Sequence, residues 1–82
     1  MKKIFESKLN ECGDYSGERI YVYALDNEDE WWELEDMTHE ERCRHFNVYE
    51  EHGVAPGSLY HRYEFDITSS HVIMSEVIAY NV

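Results

Sequence analysis

Hydrophobic and polar residues alternate most cleanly in the last third of the chain. Leu59, His61, Tyr63, Phe65 and Ile67 interleave with Tyr60, Arg62, Glu64 and Asp66, a period of two that puts one face of a strand in a core and the other in water. Thr68-Ser69-Ser70 reads as a turn. Residues 71–82 read as a second strand, with Ile73, Val77 and Ala79 opposing Val72, Met74, Ile78, Tyr80 and Val82, and the two predict an antiparallel hairpin. The run Arg19-Ile20-Tyr21-Val22-Tyr23-Ala24-Leu25 is β-branched and aromatic on both faces, as in a central strand. Asp14-Tyr15-Ser16-Gly17 before it reads as a turn. Residues 3–12 fit two periods: Phe5, Ser7 and Leu9 alternate, while Phe5, Leu9 and Cys12 share a helical face. A hairpin partner for the Arg19 strand is the preferred reading.

One helix is expected, over about residues 38–52. Thr38 and Glu41 make the S/T-x-x-E capping box, and Glu40 and Glu41 suit the positive end of the helix dipole. Cys43, Phe46 and Tyr49 form a narrow apolar stripe, and Gly53 is placed to end the helix in a left-handed conformation. Ala55-Pro56-Gly57-Ser58 reads as a turn. Asp26 to Asp36, where acids surround Trp31, Trp32 and Leu34, reads as a loop leading into a short strand or turn. The sum is an α+β fold: a three- to four-stranded antiparallel sheet with one helix packed on one face.

At 82 residues the chain has room for one domain, residues 1–82. Such a domain buries only about 60–65% of its unfolded surface, so a shallow binding face is expected rather than a deep catalytic cleft. An aromatic share of 15% argues for a folded chain rather than a disordered acidic tail. Two cysteines are too few for a disulfide scaffold. No apolar run follows Lys2 and Lys3 as in a signal peptide, and none is long enough to span a membrane. A cytoplasmic protein with reduced thiols is the simplest expectation.

Charge changes the picture most. Eighteen acids against seven bases give a net charge of −11, beyond the magnitude of roughly 2–8 that suffices to keep a small domain soluble. Self-repulsion of this size costs stability. Nucleic acid and anionic membranes would be repelled as direct partners, whereas basic protein surfaces would be attracted. Solubility alone is the competing explanation of the charge.

The candidate partner-binding residues are Asp26, Glu28, Asp29, Glu30, Trp31, Trp32, Glu33, Glu35 and Asp36. Were the segment extended, Asp26, Glu28 and Glu30 would share a face at about 6.6–6.8 Å intervals. That is comparable to the separation of successive phosphates on a nucleic-acid strand, of order 6–7 Å. Glu33 with Glu35, and Glu64 with Asp66, repeat the interval. A solvated charge run on a loop would look the same. Tryptophan is the residue most enriched in interface hot spots, and the expectation is that one of the pair packs inward and the other is exposed.

Other chemistry has less support. His39 and Cys43 share a helical face at i, i+4 and could be joined by Cys12, His45, His61 or His71. No C-x-x-C or H-E-x-x-H accompanies them, and Cys43 reads more simply as core, so no metal or cofactor is assigned. A small metal-binding domain stays open as a third reading. No nucleophile signature or Gly-rich phosphate loop is present, and a non-catalytic role is expected. Tyr60, Arg62, Glu64 and Asp66 line a wet strand face that offers a route to a homodimer or to sheet addition.

In length, charge, aromatic content and the acidic row Asp26, Glu28, Asp29, Glu30, Glu33, Glu35, Asp36, the chain resembles the small acidic inhibitors that phages and plasmids direct against host defence. These are the anti-CRISPR, anti-restriction and DNA-mimic proteins. The resemblance rests on whole-chain properties rather than a motif. It implies a stoichiometric inhibitor that docks an acidic face on a basic, nucleic-acid-binding surface. An antitoxin, immunity protein or adaptor without nucleic-acid mimicry is the alternative.

Overall fold

The alternation over residues 59–80 is realised as a hairpin, and the rest of the sheet is built around it. The computed structural model describes residues 1–11, 13 and 16–81, so Cys12 and Val82, and the Asp14-Tyr15 part of the expected turn, lie outside the described residues. The elements are β1 (Lys2–Glu6), β2 (Asn10–Glu11), β3 (Ser16–Ala24), α1 (Glu28–Asp36), α2 (His39–His45), β4 (Glu51–His52), β5 (Leu59–Ile67) and β6 (His71–Tyr80). The strands form one antiparallel sheet in the order β1-β3-β6-β5-β4, with β2 also paired to β3.

The α+β class holds, but the described sheet has six strands rather than three or four, and two helices rather than one. Residues 3–12 do supply strands that pair with β3, as the alternating reading predicts. Ser16 and Gly17, expected in a turn, already belong to β3.

Register decides which side chains meet the helices. Tyr63, Glu76 and Arg19 lie side by side across β5, β6 and β3, followed by the rows Phe65-Met74-Tyr21 and Ile67-Val72-Tyr23. These rows face the helical layer. Phe46, just past α2, stacks on Phe65 with centroids 5.2 Å apart and tilts against Tyr23 at 5.0 Å. Leu34, Cys43, Tyr63, Val72 and Met74 make up the buried apolar core. The opposite face carries Phe5, Val22, Ile73, Ile20 and Val77 among Glu18, Arg62, Glu64 and Asp66, with Phe5 54% and Ile20 38% exposed. The result is a slab of 43 × 24 × 16 Å. Its radius of gyration, 14.1 Å, exceeds the roughly 12 Å expected of a compact domain this long, in keeping with a sheet that, among the described residues, carries helices on one face only.

The helices are where the expectation needs correction. Asp26–Asp36 is not a loop leading to a strand: residues 28–36 are α1. Asn27 caps it by accepting from the Glu30 N–H at 3.0 Å, and Glu28, Asp29 and Glu30 sit in the first turn, where the helix dipole favours anions. The Thr38 capping box is present as expected, but α2 ends at His45 instead of continuing to His52. Asn47 takes the left-handed turn there (φ 56°), which Asn tolerates better than most residues, and the Val48 N–H returns to the Cys43 carbonyl at 2.9 Å. Gly53 is therefore no helix cap. It is needed for space, since a Cβ there would collide with the Ser58 side chain and stand 2.8 Å from the Leu59 carbonyl oxygen. The Ala55–Ser58 turn forms as expected, with the Ser58 N–H on the Ala55 carbonyl at 3.1 Å and Gly57 at φ 82°. Among the described residues no helix is long and apolar enough to cross a membrane.

Candidate functional site

Helix α1 carries most of the residues expected to bind a partner, but in a different geometry. The 6.6–6.8 Å extended row through Asp26, Glu28 and Glu30 does not exist, because a helix turns Glu28 and Glu30 to different sides. The extended interval survives at Glu64 and Asp66, which are exposed on the sheet face turned away from the helices. The acids are thus distributed over both layers.

Within α1, Leu34 is fully buried and Glu30 and Trp31 are half-buried. Glu30 is committed to local structure: one carboxylate oxygen accepts from the Asp26 N–H at 3.0 Å and the other meets the Met1 ammonium at 2.9 Å. Asp26 also pairs with that ammonium. The remaining candidates share the solvent side. Trp32 is 59% exposed, with its ring 4.6 Å from that of Trp31. Glu28 and Asp29 precede it by four and three positions and Glu35 and Asp36 follow it by three and four, the spacings at which helix side chains are neighbours. Glu33 is adjacent in sequence. Among the described residues none of Glu28, Asp29, Glu33, Glu35 and Asp36 forms an ion pair. The face is an exposed indole with a rim of uncompensated carboxylates.

Two further ionisable clusters lie on the helix side of the sheet, one on the strands and one on α2. Glu76 is 7% exposed. Its carboxylate accepts from the Tyr63 hydroxyl at 2.8 Å and the Tyr21 hydroxyl at 3.2 Å, and lies 2.9 Å from His61 Nε2. Burial opposes its ionisation, but the hydrogen bonds from Tyr63 and His61 outweigh burial and hold the carboxyl below the ordinary range. Arg19 Nη1 extends the network to the Tyr21 hydroxyl at 3.3 Å. His61 does face the core side of its strand, as its place in the alternation predicts, and Glu76 is the polar partner that allows it there.

The other cluster contains His39, Cys43 and Glu50. The expected i, i+4 pair meets, with Cys43 Sγ 3.7 Å from His39 Nε2, and Glu50 Oε1 lies 3.0 Å from the same nitrogen. Glu50 was not legible as a third member, being seven residues past Cys43 beyond a turn that pattern alone does not reveal. Its other oxygen accepts from the Tyr63 N–H at 2.8 Å. Burial works against its charge, but that N–H and His39 prevail and lower its pKa. Burial, then Glu50 and Glu40, pushes the Cys43 thiol up.

Comparison with protein-family models, curated proteins and solved structures finds no match for the chain.

Proposed function

We propose that the protein acts by binding another protein through the solvent face of α1. Trp32 enters a pocket on a basic surface, and Glu28, Asp29, Glu33, Glu35 and Asp36 meet the cations around it. The observation that supports this is the 59% exposure of a tryptophan on a helix whose outward acids have no cation of their own. Exposing an indole to water is unfavourable, and the same indole is a strong contributor once desolvated in an interface. Surrounding charge speeds encounter and selects the sign of the partner.

In function this is a stoichiometric inhibitor that occupies the nucleic-acid-binding surface of a target complex, in line with the net charge of −11. The attraction rests on charge complementarity and an aromatic anchor, not on a carboxylate row at phosphate spacing. The test is capture of partners by tagged protein from bacterial lysate at low and high salt. Two variants run alongside: Trp32→Ala, and the neutralised Glu28→Gln/Asp29→Asn/Glu33→Gln/Asp36→Asn. Salt-sensitive recovery of one nucleic-acid-processing complex, lost in both variants, is the expected result. Equal recovery by wild type and both variants would overturn the reading.

The apolar stripe of exposed Phe5 and Ile20 with half-buried Val22 and Ile73, on the sheet face turned away from the helices, favours a second reading, an adaptor, antitoxin or immunity module that binds through its sheet. In that case Ile20→Glu abolishes capture, Trp32→Ala does not, and salt has little effect.

A further inference from the structure

α2 sets His39 and Cys43 one turn apart, and the turn at Asn47 brings the chain back so that Glu50 faces both. His39 Nε2, Cys43 Sγ and a Glu50 carboxylate oxygen all lie within 4.8 Å of one another, with His39 Nε2 3.7 Å from the sulfur and 3.0 Å from the carboxylate oxygen. Ligand atoms bound at about 2.0–2.3 Å around a tetrahedral zinc ion stand roughly 3.3–3.6 Å apart. The two measured separations bracket that range.

We infer that His39, Cys43 and Glu50 are three ligands of a zinc site that ties α2 to the segment entering β4. The donor set selects the ion. Calcium and magnesium take oxygen ligands, whereas thiolate with imidazole and one carboxylate suits zinc. Two ligands are already oriented by neighbours that do not compete for the metal. The Tyr63 N–H holds one Glu50 oxygen and leaves the other turned to the triad, and Phe65 supports the His39 ring edge-on with centroids 5.7 Å apart. A cavity of about 310 Å³ opens beside the cluster, lined by Cys43 and Glu50 with Glu40, Val48, Tyr49 and His52. It has room for a water molecule at the fourth position. Zinc binding forms the metal–sulfur bond and releases the Cys43 thiol proton to solvent, so affinity rises with pH.

The test uses the full chain without a histidine tag, stripped with chelator and titrated first with Co²⁺ and then with Zn²⁺. One Co²⁺ should bind per chain, giving thiolate-to-cobalt charge-transfer absorption and the visible bands of a tetrahedral ion, and one Zn²⁺ should abolish both. Saturating zinc should raise the thermal midpoint by about 5 °C or more. Cys43→Ala should remove the charge-transfer band. Because Cys43 is buried, His39→Ala and Glu50→Gln are measured too; each should keep the wild-type circular dichroism and weaken binding at least ~10-fold. A folded wild type without a charge-transfer band or a zinc-dependent shift would overturn the site. So would bands that persist in Cys43→Ala, which would place the metal on another thiol, or bands that persist unchanged in both His39→Ala and Glu50→Gln, which would remove those two residues from the ligand set.

Discussion

Arg42 Nε donates to the carbonyl oxygen of Leu34 across 2.9 Å, so a side chain of α2 closes the end of α1. Its Nη2 reaches the Glu35 carbonyl at 3.3 Å. The need is specific. The last turn of α1 has no basic residue and ends in Glu35 and Asp36, acids at the negative end of the helix dipole. Arg42→Met retains the aliphatic stem and removes the guanidinium. It is expected to cost about 1–2 kcal/mol, lowering the thermal midpoint by roughly 4–8 °C per kcal/mol in a chain of this size. Thermal melts of Arg42→Met and Arg42→Lys check this, with the lysine variant in between.

Trp32 and Leu34 are two residues apart on α1 and should behave oppositely. Leu34 is 0% exposed, and Leu34→Ala should cost ~2–5 kcal/mol. Trp32 is largely in water, and Trp32→Ala should change stability by no more than about 1 kcal/mol. Urea titrations of both separate the helix's anchoring side from its binding side. A large loss for Trp32→Ala would mean that its contact with Trp31 is structural.

Asn47 holds a positive φ at the end of α2. Asn47→Gly should be nearly neutral, whereas Asn47→Ala should cost about 1 kcal/mol, the left-handed penalty of a residue with a Cβ. Equal melting of the two variants would show that α2 can end elsewhere.

Glu76 predicts an acid-sensitive fold. Its carboxyl is depressed in the folded state because hydrogen bonds from Tyr63, His61 and Tyr21 overcome burial. A depressed carboxyl contributes stability that is present above its unfolded value, about 4.3, and is lost as pH falls through the folded value. Glu50 and Glu41 are depressed as well and act with the same sign. The thermal midpoint should therefore fall below about pH 4.3. Glu76→Gln should cost roughly 1–3 kcal/mol at pH 7 and make the acid fall shallower. Chemical denaturation from pH 7 to pH 3 measures both effects, and parallel pH profiles for the two proteins would contradict the role given to Glu76.

What pattern could reveal was set by how local its cause is. The β5–β6 hairpin was legible because Tyr63, Phe65 and Ile67 alternate without interruption, and the Thr38 capping box and the Pro56-Gly57 turn were legible because each depends on neighbouring residues alone. α1 was hidden because acids occupy nearly every side of it, leaving only Trp31 and Leu34 to mark its inner face. Asn27 and Glu30, three apart, were the available sign of a helix start. The end of α2 was misplaced because Gly53 is a better formal cap than Asn47, while Gly53 answers to the crowding of Ser58 and Leu59. The acidic residues were found, but their grouping depended on the helix, which turned a presumed row into a ring around Trp32. Glu50 joins His39 through the turn at Asn47 and the Tyr63 amide, a tertiary arrangement with no local trace.

The pairing of β3 with β6 also has a kinetic consequence. Tyr21 and Glu76, which share a hydrogen bond, are 55 residues apart, so closing that contact costs far more chain entropy than zipping β5 to β6 across three residues. The hairpin is expected to form early and β3 to dock late. In the interval one edge of β6, with Val72, Ile73, Met74, Val77 and Ile78, offers unpaired backbone to any other chain. Two nascent copies that meet at that edge each carry a net charge of −11, and their mutual repulsion gives β3 time to arrive first.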